Sequence, residues 1–561
     1  MPTKEDIHPV IIAGGGPIGL CTALELALHG VQSVVLESRA KGTHHPARTH
    51  QTNTRSMEHF RRWGVADLLR ENDPVSDAFA RSITWVTALN GHVVVDFEGV
   101  FAGKEPFPFA SELPEWAPNT GIEKTLQDAA DAHPLIDLRF QSDTKGFTQD
   151  CDTVKVTYVD ESNAARQING SYLVGADGSR SQLRRSLGIR MEGTADLQEA
   201  SIWHVHAPEL KNATTVGLSS FYFFVNEYRD SLQMLVQDSN DTYLFVLLPT
   251  PEGVDADDWA GNQEVILRNI GFVTPMTPLS GGRVRIHSLI APRFNDGRVF
   301  LAGDAAHLIS PMGGFGMNLG VGDAADLGWK LAAVINGWGG PGLLASYGEE
   351  RSEAIRWIQS ECIDNTGHLP PFFAKDGMSG NDGDGEAIRK QVGAHVVDLK
   401  LKEFVSTGAQ LGYNYVSSPL IAGDGSVPPP LSMGRFTPSA VPGCRAPHVW
   451  LTPGESLFDN FGPEFTLLSI GIEVDTTSFS RAASARGIPL KVLQLDKEFH
   501  ELYGANLLLV RPDQHVAWRG NEIPSDLDGL LAKVTGGGPL GATSSPPTTG
   551  DSARSTSELS L

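Results

Sequence analysis

The stretch PVIIAGGGPIGLCTALELALHGVQSVVLE, residues 9–37, leaves the chain few folds to choose from. A β-branched apolar run ends in three glycines. A helix-like pattern follows and stops at Gly30, and a second apolar run ends in Glu37. This is the order of a strand, a tight turn, a helix and a second, parallel strand. Gly14, Gly16 and Gly19 sit at the G-x-G-x-x-G spacing, with Pro17 and Ile18 opening the helix. The first glycine permits the turn, the second lets a pyrophosphate approach the backbone, and the third lets helix and strand pack closely. The free N–H groups of the helix N-terminus then face the phosphates. Glu37 is placed to accept both ribose hydroxyls of an adenosine. Its charge repels a 2′-phosphate, so this site is not one for NADPH.

A second strand–glycine–helix element comes almost 300 residues later, in GRVFLAGDAAHLISPMGGFGMNLGVGDAADLGWKL, residues 297–331. A dehydrogenase completes its dinucleotide site soon after the first half. The long gap therefore favours FAD over NAD. Asp304 leaves a strand at its C-terminal end, where its carboxylate can hold the ribityl chain of a flavin. Gly303, Gly313, Gly314 and Gly316 allow a flat ring to lie against bare backbone. A helix starting near Gly316, Met317 and Asn318 points its N-terminus at the negative charge that develops on a reduced flavin. Ala324, Ala325 and Gly328 are small enough for that helix to pack closely on a sheet.

Composition narrows the partners. A formal charge of −23 argues against nucleic acid or an anionic membrane. No apolar run reaches the roughly 18 residues of a membrane span. The polar start, MPTKEDIHPV, has no apolar signal core, so the expected location is cytoplasmic. The four cysteines are scattered, which reads as free thiols and offers no metal site.

The expected class is α/β: a Rossmann-like FAD-binding domain, an inserted β-rich substrate domain and a C-terminal thioredoxin-like α/β domain. Residues 1–75, 110–190 and 291–375 are assigned to the FAD-binding domain, and 76–109 with 191–290 to the substrate domain. Residues 376–440 read as a helical segment and linker, with an exposed loop at 376–386. Residues 441–536 form the last domain, and the Ser/Thr/Pro/Gly-rich tail 537–561 is expected to be disordered. The glycines of GWGGPG, residues 337–342, follow a helix and are no second fingerprint.

Three motifs occur in one order: GGGPIGL with Glu37, GADGSRS at 175–181 with Arg184, and GDAAH at 303–307. With Gly316-Met317-Asn318 and YGEER at 347–351, they make residues 8–360 resemble the single-component flavin-dependent aromatic hydroxylases of the para-hydroxybenzoate hydroxylase type. The phrases RAPHVWL, SLFDNFGPEFTLL and LYGANLLLVRPDQHVAWRG resemble the thioredoxin-like domain of the phenol hydroxylase branch. Only Cys444 is present there, too few thiols for redox exchange, so a structural or dimerisation role is expected.

The resemblance implies an NAD(P)H- and FAD-dependent monooxygenase that hydroxylates a phenolic or polyketide-like aromatic with O2, through a flavin C4a-hydroperoxide. NADPH is the implied transient co-substrate, with NADH possible, and a homodimer is possible. Arg48 matches the family arginine near the flavin and its pyrophosphate. Asp177 matches the aspartate linked to both FAD and NADPH. Pro311 matches the proline lining flavin and substrate, and Asn119 stands where many relatives place a glutamine. Acid–base candidates from the β-rich domain are His204, His206, Tyr222, Tyr243 and His287, and the aromatic run Phe221 to Phe224 is a candidate pocket wall. Two alternatives stay open: the same cofactor giving Baeyer–Villiger or ring-opening chemistry or epoxidation, and a non-catalytic flavin-binding protein that acts as an interaction module.

Overall fold

The computed structural model describes residues 7–43, 50–100, 107–471 and 474–537. Arg48 and the tail from residue 538 lie outside the described residues. The fingerprint strand, Ile7–Ala13, runs parallel between Ala165–Gly175 and Ser33–Leu36. Val299–Leu301 adds on beyond Ala165–Gly175, also parallel, and Ile136–Arg139 beyond Ser33–Leu36. Val10, Ile11 and Ile12 are fully buried, as a central strand covered on both faces requires. The register sets Ala13 beside Gly175, and Gly175 beside Leu301. Three turns therefore leave one edge of one sheet: Gly14 onward, Ala176-Asp177, and Gly303-Asp304. The 300-residue gap in sequence closes to neighbouring strands.

The helix Phe315–Ile335 lies against the fingerprint helix Pro17–Leu28. A Cβ on Gly328 would sit 2.4 Å from Glu25 Cγ, so glycine is what lets the two helices touch.

A second eight-stranded sheet carries, in spatial order, His307–Leu308, Thr277–Ile290, Glu192–His206, Thr242–Leu247, Leu232–Val236, Ser219–Phe224, Ala80–Val86 and Val93–Phe97. Strand alternation divides its side chains. Trp203 packs on Trp259 of the helix Trp259–Ile270 on one face. The other face shows Ile202, His204, Phe221, Gln233, Leu235, Leu244 and Val246, which the ladder aligns across four strands. The helix Gly383–Phe404 covers part of that second face through Phe404 against Phe223. This helix begins inside the stretch expected to be loop. Asp382 caps it by accepting from the Gly385 N–H at 2.8 Å, so the acidic, glycine-rich run is a helix start.

The C-terminal sheet has the order Leu490–Leu495, Phe465–Ile470, Leu507–Val510, Val516–Gly520, with the first pair parallel and the others antiparallel. That is the thioredoxin-like order. Cys444 is buried, and burial pushes its thiol up to about 11. The domain is joined tightly to the first one. Trp329 and Trp338 pack on Phe465. Gly340 of the GWGGPG stretch donates to Thr535 O, and a Cβ there would lie 2.4 Å from Gly536 O. No helix among the described residues is long and apolar enough to cross a membrane.

His29 pins the same interface. Its ring bonds Glu25 and, across the domain boundary, Glu464, each at 3.0 Å. Burial alone lowers its pKa, but the two carboxylates outweigh it and hold the ring at about 9. A raised folded pKa gives stability that is complete below the unfolded value of 6.5 and is lost as pH rises through 9. The difference corresponds to about 3 kcal/mol. Thermal melts should therefore fall between pH 6.5 and 9 more steeply for the wild type than for His29→Gln, and equal slopes would remove His29 as the cause.

Candidate active site

The three turns at the sheet edge form one cradle. Gly14 has φ +107°, and a Cβ on it would stand 2.3 Å from Ala176 O. One on Gly19 would stand 1.9 Å from Gly14 O. Gly16, in contrast, has open space where its Cβ would be. The first and third glycines thus serve packing, and the second leaves the backbone open beside the helix N-terminus. Ile18 locks the fingerprint to the later motif. It fills the notch left by Gly303 and Gly320, whose Cβ atoms would lie 2.9 and 2.6 Å from it.

The aspartate turn is tied in by Arg184, which donates to Ala305 O at 2.9 Å and to Ser179 O at 3.1 Å. Asp177 Oδ2 accepts from the N–H groups of Gln182 and Leu183, at 2.8 and 3.1 Å, and so caps the short helix Gln182–Ser186. Its other oxygen, Oδ1, is buried without a protein partner. Glu37 is where the fingerprint predicts it, just past its strand. Its carboxylate accepts from Gly15 N–H at 2.9 Å, from Arg39 N–H at 2.8 Å and from Arg39 Nε at 3.0 Å. Burial opposes its ionisation, but Arg39 and these N–H groups hold its pKa below the usual value. Arg39 also reaches Glu123, which accepts from Asn119 Nδ2 at 3.1 Å. Asn119 therefore belongs to the Glu37 end of the site through a polar chain that the sequence did not suggest.

Gly303 and Asp304 open a short 3₁₀ turn, Gly303–Ala305, with Asp304 half-buried. The carboxylate that holds this turn is Asp323, a residue sequence reading missed. One oxygen accepts from Gly303 N–H at 3.0 Å and meets His307 Nε2 at 2.7 Å. The other accepts from Arg351 Nε at 2.8 Å. Arg351 continues to Leu319 O and to the Tyr415 hydroxyl. Tyr415 packs on His515 of the C-terminal domain in a tilted ring pair, with centroids 4.4 Å apart. Arg511 of that domain bonds Glu350, Asp326 and Asp513, and Lys330 bonds Asp326 and Glu350, all of them buried. Burial holds Asp326 above the usual carboxylate range despite the Lys330 and Arg511 side chains beside it.

Pro311 stands exposed on the turn before Gly313 and Gly314, which have φ +106° and +69°. The helix Phe315–Ile335 starts there without a side-chain cap, leaving first-turn N–H groups of Phe315, Gly316 and Met317 for another acceptor. Asn318 spends its side chain on the backbone of Gln51, Asn53 and Gly314. That segment places His50 against Trp116, at 5.1 Å, and Trp116 against Phe221 of the second sheet, at 6.0 Å. Met312 belongs to an apolar cluster against which Ile202 and Val246 of the same face pack.

The acid–base candidates separate. His204 and His206 share the face turned toward the cradle. Tyr222 lies on the opposite face, and its hydroxyl donates to Gly217 O and accepts from Ser219 N–H, both at 2.6 Å. Burial also raises its pKa. Tyr243 shares that far face. His287 accepts from Asp196 N–H at 3.0 Å at a bulge and is turned away from Ile286, which packs on Met312. These three are candidates as members of the β-rich domain, and strand parity sets their side chains on the face opposite Ile202 and His204.

Comparison with known proteins decides the family. The model of the FAD binding domain matches residues 8–360, and that of the aromatic-ring hydroxylase C-terminal domain matches residues 439–537. The chain belongs to the FAD-dependent aromatic-ring hydroxylases. This hydroxylase is 32% identical to the FAD-dependent monooxygenase apdD of Emericella nidulans, over 96% of its own chain and 92% of the relative. It is 30% identical to the aklavinone 12-hydroxylase RdmE of Streptomyces purpurascens, over 94% and 98%. Among solved structures, the rebeccamycin biosynthetic enzyme RebC with reduced flavin superposes with a TM-score of 0.85 at 34% identity, over 95% and 99% of the two chains. A ternary complex of aklavinone-11 hydroxylase with FAD and aklavinone gives 0.80 at 28%, over 96% and 100%. The hydroxylase is an FAD-dependent monooxygenase. The bare backbone at Gly16, the unpartnered Asp177 oxygen and the uncapped helix at Gly314 fit that cofactor.

Asp323→Asn keeps the shape but leaves Arg351 and His307 without their carboxylate. Removing one partner of a buried pair costs about 3–5 kcal/mol. The hydroxylase should melt at lower temperature and shed FAD on gel filtration, whereas a variant with unchanged melting and flavin content would show that Asp323 is dispensable.

Proposed function

We propose that this hydroxylase uses NAD(P)H and O2 to place a hydroxyl group on a phenolic or polyketide-like aromatic held between the second sheet and the cradle. The observation that carries the reading is the meeting of the three turns with one half-exposed, largely apolar sheet face. In the net reaction, NAD(P)H and a proton supply two electrons, one oxygen atom enters the ring and the other leaves as water. Bound FAD would supply the electron transfer and oxygen activation.

The chain's own part is binding, orientation and exclusion of water. In this reading Gly14, Gly16 and the Pro17–Leu28 helix start seat the pyrophosphate. Glu37, steadied by Arg39, takes the adenosine ribose, and Asp304 takes the ribityl chain. The N–H groups at Gly316 and Met317 face the ring's polar edge, and Asn318 holds the segment beside it. Arg48 and Asp177 serve reduction. Pro311 and Met312 border the substrate. His204, which burial keeps neutral at neutral pH, is the acid–base candidate that geometry favours.

The functional test is a panel of phenols and hydroxyquinones offered with NADPH or NADH. Consumption of the nicotinamide together with products heavier by one oxygen supports the proposal, and ring cleavage or epoxide products would replace it. Asp304→Ala removes a charged hydrogen-bond partner worth about 1.5–3 kcal/mol. The FAD dissociation constant should rise by about tenfold or more, and an unchanged value would place Asp304 elsewhere.

A further inference from the structure

We propose that Gln233 sets substrate specificity: its amide hydrogen-bonds a neutral oxygen of the aromatic substrate, a quinone carbonyl or a phenol, and the apolar sheet face around it rejects a carboxylate at that point. The inference rests on the reading of the second sheet as the floor of the substrate site. Gln233 is 3% exposed, in the apolar strand Leu232–Val236, and its Nε2 is buried without a partner. A buried amide left unpaired is costly, and folded proteins pair such groups. Gln237, four residues on and on the same face, shows the contrast: its Nε2 bonds Leu235 O and His50.

The ladder puts Val246 on one side of Gln233 and Phe223 on the other, with Ile202 beyond Val246. Val246 and Ile202 pack against the apolar cluster that includes Met312, the residue before Gly313 and Gly314 of the cradle. Gln233 therefore lies among apolar and aromatic surfaces that suit a flat ring, with one polar group to orient it. The charge of the surroundings selects the class of that ring. The aligned positions on this face, Ile202, His204, Phe221, Phe223, Gln233, Leu235, Leu244 and Val246, include no lysine or arginine. Burial lowers the pKa of both His204 and His50, the latter to about 4, so neither ring offers a positive charge at neutral pH. A carboxylate brought here loses water and gains no cation. A carbonyl or phenol loses little and gains the amide.

The test uses full-length holoenzyme and reads binding from the visible spectrum of the bound FAD, without NAD(P)H. The probes are a dihydroxyanthraquinone and the same ring bearing a carboxylate. Wild type should bind the neutral ring about tenfold or more tightly than the acid. Gln233→Leu should weaken the neutral ring by about tenfold and leave FAD bound. Gln233→Met repeats the test should the leucine variant fold poorly. Gln233→Arg should reverse the preference toward the acid. Wild-type affinities in the leucine and methionine variants would overturn the role of Gln233 and leave the substrate site standing. If neither ring perturbs the wild-type flavin, the site reading falls, and this inference with it.

Discussion

A carboxylate with three demands on it organises the molecule. Asp323 must take the Gly303 N–H, His307 and Arg351, and it is wholly buried while doing so. Such a charge is tolerated only when every partner is in place, because the low-dielectric interior strengthens a complete set and punishes a broken one. The Gly303 turn is therefore held in one position. Arg351 extends the requirement to Tyr415, and Tyr415 to His515. The C-terminal domain enters the flavin-binding domain's electrostatics through that chain, and through Arg511 with Glu350 and Asp326.

This gives the thioredoxin-like domain a physical role that does not need thiols. Its sheet is not a free surface appended to an enzyme. Phe465 meets two tryptophans of the flavin-binding domain, Glu464 meets His29, and the glycine-rich stretch at 337–342 is reserved for the backbone at Thr535 and Gly536.

Much of the cradle was legible in the sequence because its signals are local. Glycines at set spacing, a strand before and a helix after, and an acid at the next strand end all follow from backbone geometry. The joining of the two glycine motifs followed from the pattern of a parallel sheet. Asp323, Arg39 and Gln233 were not legible in the same way. Asp323 sits in mid-helix, and its partners lie 20, 16 and 28 residues away, so no local pattern marks it. The Glu37–Arg39–Glu123–Asn119 chain crosses 84 residues. Gln233 did leave a trace, a lone amide inside LQMLV, but a strand carries polar residues on its wet face as a matter of course, and only the folded structure shows that this position is buried. Tyr222 and His287 show the converse: a β-rich domain offers candidates on both faces, and the period of two sets these two opposite His204.

The notch that receives Ile18 has a consequence for the order of events in the cell. Its walls, Gly303 and Gly320, are synthesised long after the fingerprint they grip, and the ring that buttresses their support, His515, comes later still. A nascent chain that has emerged through the first sheet's early strands has a fingerprint turn with nothing to close against. The cofactor cradle is thus a product of distant segments, and the fingerprint turn alone lacks the walls that Gly303 and Gly320 give it.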